Sequence, residues 1–185
     1  PSRSRLIVRR DGHNVVRAWG IPKPTAIVDT REWEPLPLLA WHGNWFAGEV
    51  TRMLRIGDYS VEGMEDLLTL ERKSLPDLVR CVVGDRERFL ANCAGLAEYR
   101  WKAILIEGSL EDIKSGAYGF GVNTDVHPNG VTGTLVAIEA KWGIPILYSS
   151  TNKALATERA ARWLSKHFTY WWLETNGAER VLIDE

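Results

Sequence analysis

The chain has little of what redox, zinc or membrane chemistry requires. Among 185 residues it has two cysteines and four histidines. Cys81 and Cys93 both fall in apolar stretches of helical character, which favours unpaired buried thiols over a disulfide, a zinc site or a nucleophile. His13, His42 and His167 show no metal-motif spacing, and His127 precedes Pro128 at what reads as a helix start. No apolar run is long enough to span a bilayer, so no membrane partner is expected. The N-terminus is basic and polar, without a signal-peptide core, and an intracellular location follows as the expectation. Nor does one sign of charge dominate: the formal net charge is −1. The distribution is more informative than the sum. Basic residues collect at Arg3, Arg5, Arg9, Arg10 and Arg17, and again at Arg72, Lys73, Arg80, Arg86 and Arg88, while Glu174, Glu179, Asp184 and Glu185 make the C-terminal end acidic. Taken singly, each of these arginines reads as a solvated surface residue; as clusters they could hold phosphates beside an acidic site.

The chain is long enough for one domain with a substantial core. Arg5 to Ala18 reads as a β-hairpin around Asp11-Gly12, a turn dipeptide, followed by the linker Pro22-Lys23-Pro24. Ala26–Asp29 reads as a strand. Trp33–Trp45 includes a helix broken near its start by Pro35 and Pro37. Glu49–Leu54 and Leu67–Lys73 read as a strand pair. Ser74 opens a helix through the capping pattern Ser74-x-x-Asp77, and Glu87–Tyr99 reads as a helix with Phe89, Cys93 and Leu96 on one side. Ala103–Glu107 is a buried strand, Pro128–Trp142 a helix, Ile144–Tyr148 a strand and Asn152–Glu174 a long final helix. This alternation predicts an α/β fold: a mixed central sheet flanked by helices on both faces, with an N-terminal β-hairpin. Residues 1–24 are assigned to the hairpin extension and linker, and residues 25–185 to the main domain. Trp163, Phe168, Trp171 and Trp172 cover much of the last helix's circumference. One stripe is expected in the core, and the rest divides evenly between core and subunit interface.

The chemistry concentrates in Gly57-Asp58-Tyr59 and Glu71-Arg72-Lys73-Ser74-Leu75-Pro76-Asp77. Side chains alternate along a strand, so Glu71 and Lys73 share a face and Arg72 takes the other. A hairpin would return Asp58 beside Glu71. Two carboxylates and an ammonium in one pocket suit a divalent metal and an activated water. The bland alternative, an exposed charged strand end, is equally consistent with the spacing alone.

Further blocks accompany these: Val28-Asp29-Thr30-Arg31-Glu32, Gly84 to Phe89, Ile104-Leu105-Ile106-Glu107-Gly108-Ser109, His127-Pro128-Asn129 and Gly143-Ile144-Pro145-Ile146. Together, and in this order, they resemble the nuclease domain of the XPF family of structure-specific endonucleases, which includes the archaeal Hef nuclease and lies in the restriction-endonuclease-like superfamily. The resemblance implies a metal-dependent DNA endonuclease acting on branched DNA (flaps, forks or junctions) in repair, recombination or replication, with a homodimer as the expected assembly. It implies Mg²⁺ or Mn²⁺ held by Asp58 and Glu71, with Asp29 as a further ligand or acting through water. Lys73 would orient the attacking water, and Glu32, Arg72 and Asp77 complete the expected catalytic set. Arg72 would pair with Glu32 or Asp29, or offer its backbone carbonyl to the metal. For Asp77, helix capping is the main expected job.

The chain departs from the family pattern at Asn92, where glutamine is common, and at Gly95, near which a basic residue is usual. Gly116-Ala117-Tyr118-Gly119-Phe120-Gly121 lacks the lysine and the strand–turn–helix setting of a phosphate loop. It reads as a surface loop, with a DNA-contacting flap as the alternative. The tandem helix-hairpin-helix domain usual in the family has no room before Glu185, so the expectation is either an excised domain or a compact stand-alone nuclease. Two other classes stay open: a non-catalytic module that binds branched DNA or a partner, and a sequence-specific restriction-type enzyme.

Overall fold

The computed structural model describes residues 7–10, 12–15, 21–116, 118 and 126–181. Strands β1 (Ile7–Arg10) and β2 (His13–Val15) pair antiparallel with Arg10 opposite His13, which is the expected hairpin, although Asp11 lies outside the described residues. β3 (Thr25–Val28) carries the apolar run Ala26-Ile27-Val28, and α1 (Leu38–His42) begins directly after Pro37. β4 (Gly48–Thr51), β5 (Tyr59–Val61), β6 (Leu68–Ser74), β7 (Trp101–Glu107) and β8 (Ile146–Tyr148) complete a six-stranded mixed sheet in the order β4-β3-β5-β6-β7-β8. β5 runs antiparallel to both of its neighbours, and the other neighbouring pairs are parallel.

The expected pairing of Glu49–Leu54 with Leu67–Lys73 does not occur. β4 pairs with β3, and the partner of β6 in the hairpin is β5. That strand is a three-residue segment whose alternation is too short to stand out in sequence. It holds because it is hydrogen-bonded on both sides and all its residues are buried.

Alternation along the strands separates two cores. From β7, Ala103 and Leu105 face one way, with Leu68 and Leu70 of β6, against α1 and α6 (Lys153–Thr175). Ile104 and Ile106 face the other way, against α2 (Leu75–Val83), α3 (Arg86–Ala97), α4 (Leu110–Ser115) and α5 (Pro128–Trp142). The sheet is therefore covered on both faces, as the alternating elements require. Ser74 caps α2 by accepting the Asp77 N–H at 3.2 Å, and Pro76 sits in the first turn. Trp163 and Phe168 are core residues; Trp171 and Trp172 are partly buried against the same core. The helix therefore spends its second aromatic pair largely on its own fold.

Beyond β5, two elements have no counterpart in the sequence reading: α4, opened by a Ser109–Asp112 capping box, and a short C-terminal strand. β9 (Glu179–Val181) pairs antiparallel with β1, making a three-stranded sheet of order β2-β1-β9. Its sequence, Glu179-Arg180-Val181, has no apolar alternation to announce it. No helix among the described residues is long and apolar enough to cross a membrane.

Candidate active site

Leu68 and Leu70 point into the α1–α6 core, so Arg72 continues that side, while Thr69, Glu71 and Lys73 take the α2–α3 side. The Lys73 Nζ accordingly donates to Glu71 Oε1 at 2.5 Å. The β5–β6 hairpin brings Asp58 to the same place: its N–H donates to the Leu70 carbonyl at 2.9 Å, and its Oδ2 accepts the Arg72 N–H at 2.6 Å. The preceding Gly57 has φ +85°, and a Cβ there would lie 2.0 Å from Thr69 Oγ1. Only glycine lets the loop approach β6 this closely.

Asp58, Glu71 and Lys73 line one cavity of about 570 Å³, between the sheet and the α2–α3 pair, with Asp77 on its wall. Burial, and then the negative charge of Glu71, push the Asp58 carboxyl up to about 8. Burial alone would lower the Lys73 ammonium, but Glu71 and Asp58 outweigh it and hold its pKa above the usual lysine value. Beside these two acids Lys73 is held as an ammonium.

Asp29 is close in the backbone but engaged elsewhere. It is 1 % exposed. Its Oδ1 accepts the Arg31 N–H at 2.9 Å and Arg31 Nε at 2.5 Å, and its Oδ2 accepts the Leu54 N–H at 2.6 Å. Burial pushes its carboxyl up, yet the Arg31 and Leu54 hydrogen bonds hold it below the ordinary value. Its N–H donates to the Asp58 carbonyl at 2.8 Å, so it fixes the loop that carries Asp58 without lining the cavity.

Arg72 reaches the opposite side. Its Nη1 donates to Glu32 Oε2 at 2.9 Å and to the Glu34 carbonyl at 2.8 Å, and its Nε donates to Glu107. Tyr59 donates its hydroxyl to the same Glu32 oxygen at 2.9 Å and accepts the Leu36 N–H at 2.9 Å. Glu32, Arg72 and Glu107 border a second cavity of about 340 Å³; Arg31 and Asp77 border both. Asp77 accepts from Ser74 Oγ at 2.6 Å and from Arg80.

The expected set thus divides into Asp58, Glu71 and Lys73 in one cavity with Asp77 at its wall, Asp29 behind it, and the Glu32–Arg72 pair on the far side of β6. Of the two partners foreseen for Arg72, Glu32 is the one it takes. Tyr59 and Glu107 gain roles the sequence reading left unassigned. The signal for Glu107 was its place at the C-terminal end of a parallel strand beside β6, where it is level with Ser74. Cys81 is a partial correction: it is half-buried and borders the cavity, whereas Cys93 is fully buried. Both thiols are free, and burial raises both. Of the glycine-rich segment, only Gly116 and Tyr118 fall within the described residues.

Among the described residues no group of three or more acidic, histidine or cysteine side chains is arranged to hold a metal ion. Asp58 and Glu71 nevertheless fit one kind of cation. Each has one oxygen engaged by Arg72 N–H or Lys73 and one without a hydrogen-bond partner among the described residues. Mg²⁺ keeps several waters and commonly takes only one or two protein carboxylates plus substrate phosphate oxygens.

The fold has counterparts among solved structures. No curated protein matches the chain. Two solved structures share its fold: XPF from Aeropyrum pernix in complex with DNA, 22% identical, TM-score 0.55, covering 78% of this chain and 66% of that one; and XPF from Aeropyrum pernix, 19% identical, TM-score 0.58, covering 88% and 67%. The chain thus spans about two-thirds of those proteins. The ERCC4 domain family model matches residues 28–158, from the strand before Asp29 to the first turns of α6 and including the whole cavity. The chain therefore belongs to the ERCC4 domain family.

Proposed function

We propose that the chain is a divalent-metal-dependent endonuclease that hydrolyses phosphodiester bonds in DNA, with flaps, forks or junctions as its substrate class and repair, recombination or replication as its setting. The convergence of Asp58, Glu71 and Lys73 in one cavity carries this reading. Asp58 and Glu71 would hold Mg²⁺ or Mn²⁺, which would supply Lewis-acid stabilisation of the phosphoryl oxygens and a lowered water pKa.

The protein's own groups divide the remaining work. Lys73, held as an ammonium by Glu71, donates to the attacking water or to a phosphate oxygen and stabilises charge developing there. The Arg72 N–H orients the Asp58 carboxylate. Asp29 and Arg31 fix the loop that carries Asp58. Arg72 clamps Glu32 to Glu107 and so ties the β3 loop to the ends of β6 and β7. Ser74 caps α2, and the Asp77 carboxylate holds that cap and Arg80 in place in the first turn.

Homodimerisation is part of the same proposal, supported by exposed Leu110 and Val136 on α4 and α5, and sedimentation tests it. The substrate reading is tested with labelled branched, duplex and single-stranded DNAs in Mg²⁺, Mn²⁺ or EDTA. Metal-dependent cutting of a branched form is expected. Cutting of unbranched duplex at one sequence would point to a restriction-type enzyme. Binding to branched DNA without any cut would leave a non-catalytic module.

A further inference from the structure

The cations around the cavity are not equivalent. Lys73 pairs with Glu71, Arg31 with Asp29, Arg55 with Glu98 and Arg80 with Asp77. Arg88 also borders the cavity, and it has no acidic partner among the described residues. It is exposed and sits in the first turn of α3. A cation at a helix N-terminus opposes the macrodipole, so Arg88 does nothing for its own helix. The neighbouring Arg86 differs: it donates to Thr134 Oγ1 at 3.0 Å and ties α3 to α5.

One turn on, Asn92 lies on the same face as Arg88 and borders the same cavity. It is half-buried and makes no side-chain hydrogen bond with the described residues. Two polar groups with donors to spare therefore look into the cavity from α3, while Glu71 and Lys73 look in from β6. The cavity, at about 570 Å³, is larger than one tetrahedral phosphate and its metal require. Gly95, one more turn along, lets the wall close here: a Cβ would lie 2.1 Å from Ile56 Cδ1, so its absence lets the Arg55–Asp58 loop press against α3.

We propose that Arg88 and Asn92 form a phosphate subsite that grips the DNA backbone at a linkage beside the one being cut. This rests on the nuclease reading above. An unpaired guanidinium offers planar donors for phosphate oxygens, and Asn92 supplies a neutral donor beside it. The pair sets how the strand lies across Asp58 and Glu71, so its loss weakens substrate binding more than turnover.

The test compares wild type with Arg88→Ala, Arg88→Lys and Asn92→Ala on the preferred branched DNA. Arg88→Ala should raise KM about tenfold with kcat changed less than about twofold, Arg88→Lys should recover part of that loss, and Asn92→Ala should fall between. A scan of single uncharged methylphosphonate linkages should find one position beside the cut that slows wild type and leaves Arg88→Ala indifferent. Binding in EDTA between about 50 and about 200 mM salt should show a slope lower by about one in the Ala variant. If wild type cuts and Arg88→Ala matches it in KM, scan and slope, the subsite is wrong and the nuclease reading stands. If wild type cuts nothing, the nuclease reading falls, and equal salt slopes would overturn the Arg88 contact separately.

Discussion

Arg72 serves Asp58 with its backbone and other acids with its side chain. Its N–H donates to Asp58 Oδ2 at 2.6 Å on one side of β6, while its guanidinium joins Glu32 and Glu107 on the other. One residue therefore couples the cavity to a network behind the sheet. Arg72→Ala keeps that N–H and removes only the guanidinium. Side chains at 14–16 % exposure leave Glu32 and Glu107 poorly solvated once the guanidinium is gone, so a loss of about 3 kcal/mol is expected. Thermal or denaturant unfolding reads this directly. Adding Glu32→Gln and Glu107→Gln should return part of the stability.

Glu71→Gln keeps the shape of the side chain and removes its charge. Cleavage should fall by about 10²-fold or more, while the circular dichroism spectrum stays that of wild type. Lys73 loses its ion pair but remains close to Asp58, so DNA binding in EDTA should persist. Turnover close to wild type would remove Glu71 from the mechanism.

Gly57→Ala should harm both fold and rate. The backbone there is at φ +85°, and the new methyl would meet Thr69 Oγ1. The strain is expected to cost about 1–3 kcal/mol. Because Asp58 is the next residue, a shift of the loop should also lower kcat by about 10²-fold. A variant as stable and as fast as wild type would show that the close approach is not needed.

Acid stability should report on His167. Its Nδ1 lies 2.8 Å from the Trp163 carbonyl and its ring packs 4.1 Å from that of Trp163. Burial lowers its pKa below the ordinary histidine value of 6.5. A depressed folded-state pKa means the unfolded chain takes the proton first. The contribution is therefore complete above the unfolded pKa and is lost as pH falls through the folded one. The melting temperature should drop as pH falls below the ordinary histidine value, and His167→Phe should flatten that drop in part. His42, lowered by burial as well, accounts for a residual slope.

What the sequence showed, and what it hid, follows from the range of the forces involved. Alternation along Leu68–Ser74 was enough to place Glu71 and Lys73 on one face and Arg72 on the other, because a strand leaves no third choice. Pro128–Trp142 was bounded correctly by its proline start and glycine stop. β5 was hidden because three residues carry too little pattern, and β9 because its partner β1 lies at the other end of the chain. The engagement of Asp29 by Arg31 and the Leu54 N–H was equally hidden. A carboxylate at a strand end reads the same whether it faces a metal or an arginine, and only the folded loop decides.

The reversed direction of β5 carries a consequence for how the site can change. Asp58 leads into its strand, whereas Asp29 trails β3 and Glu71 sits within β6. Adding or deleting a residue in the Glu62–Leu67 turn would slide Asp58 past Glu71 by a strand step of about 3.3 Å. That exceeds a metal–oxygen bond of about 2.0–2.1 Å. The spacing of the two carboxylates is thus governed from the far end of the sheet, where no catalytic group resides, and insertions there would silence the cavity without touching it.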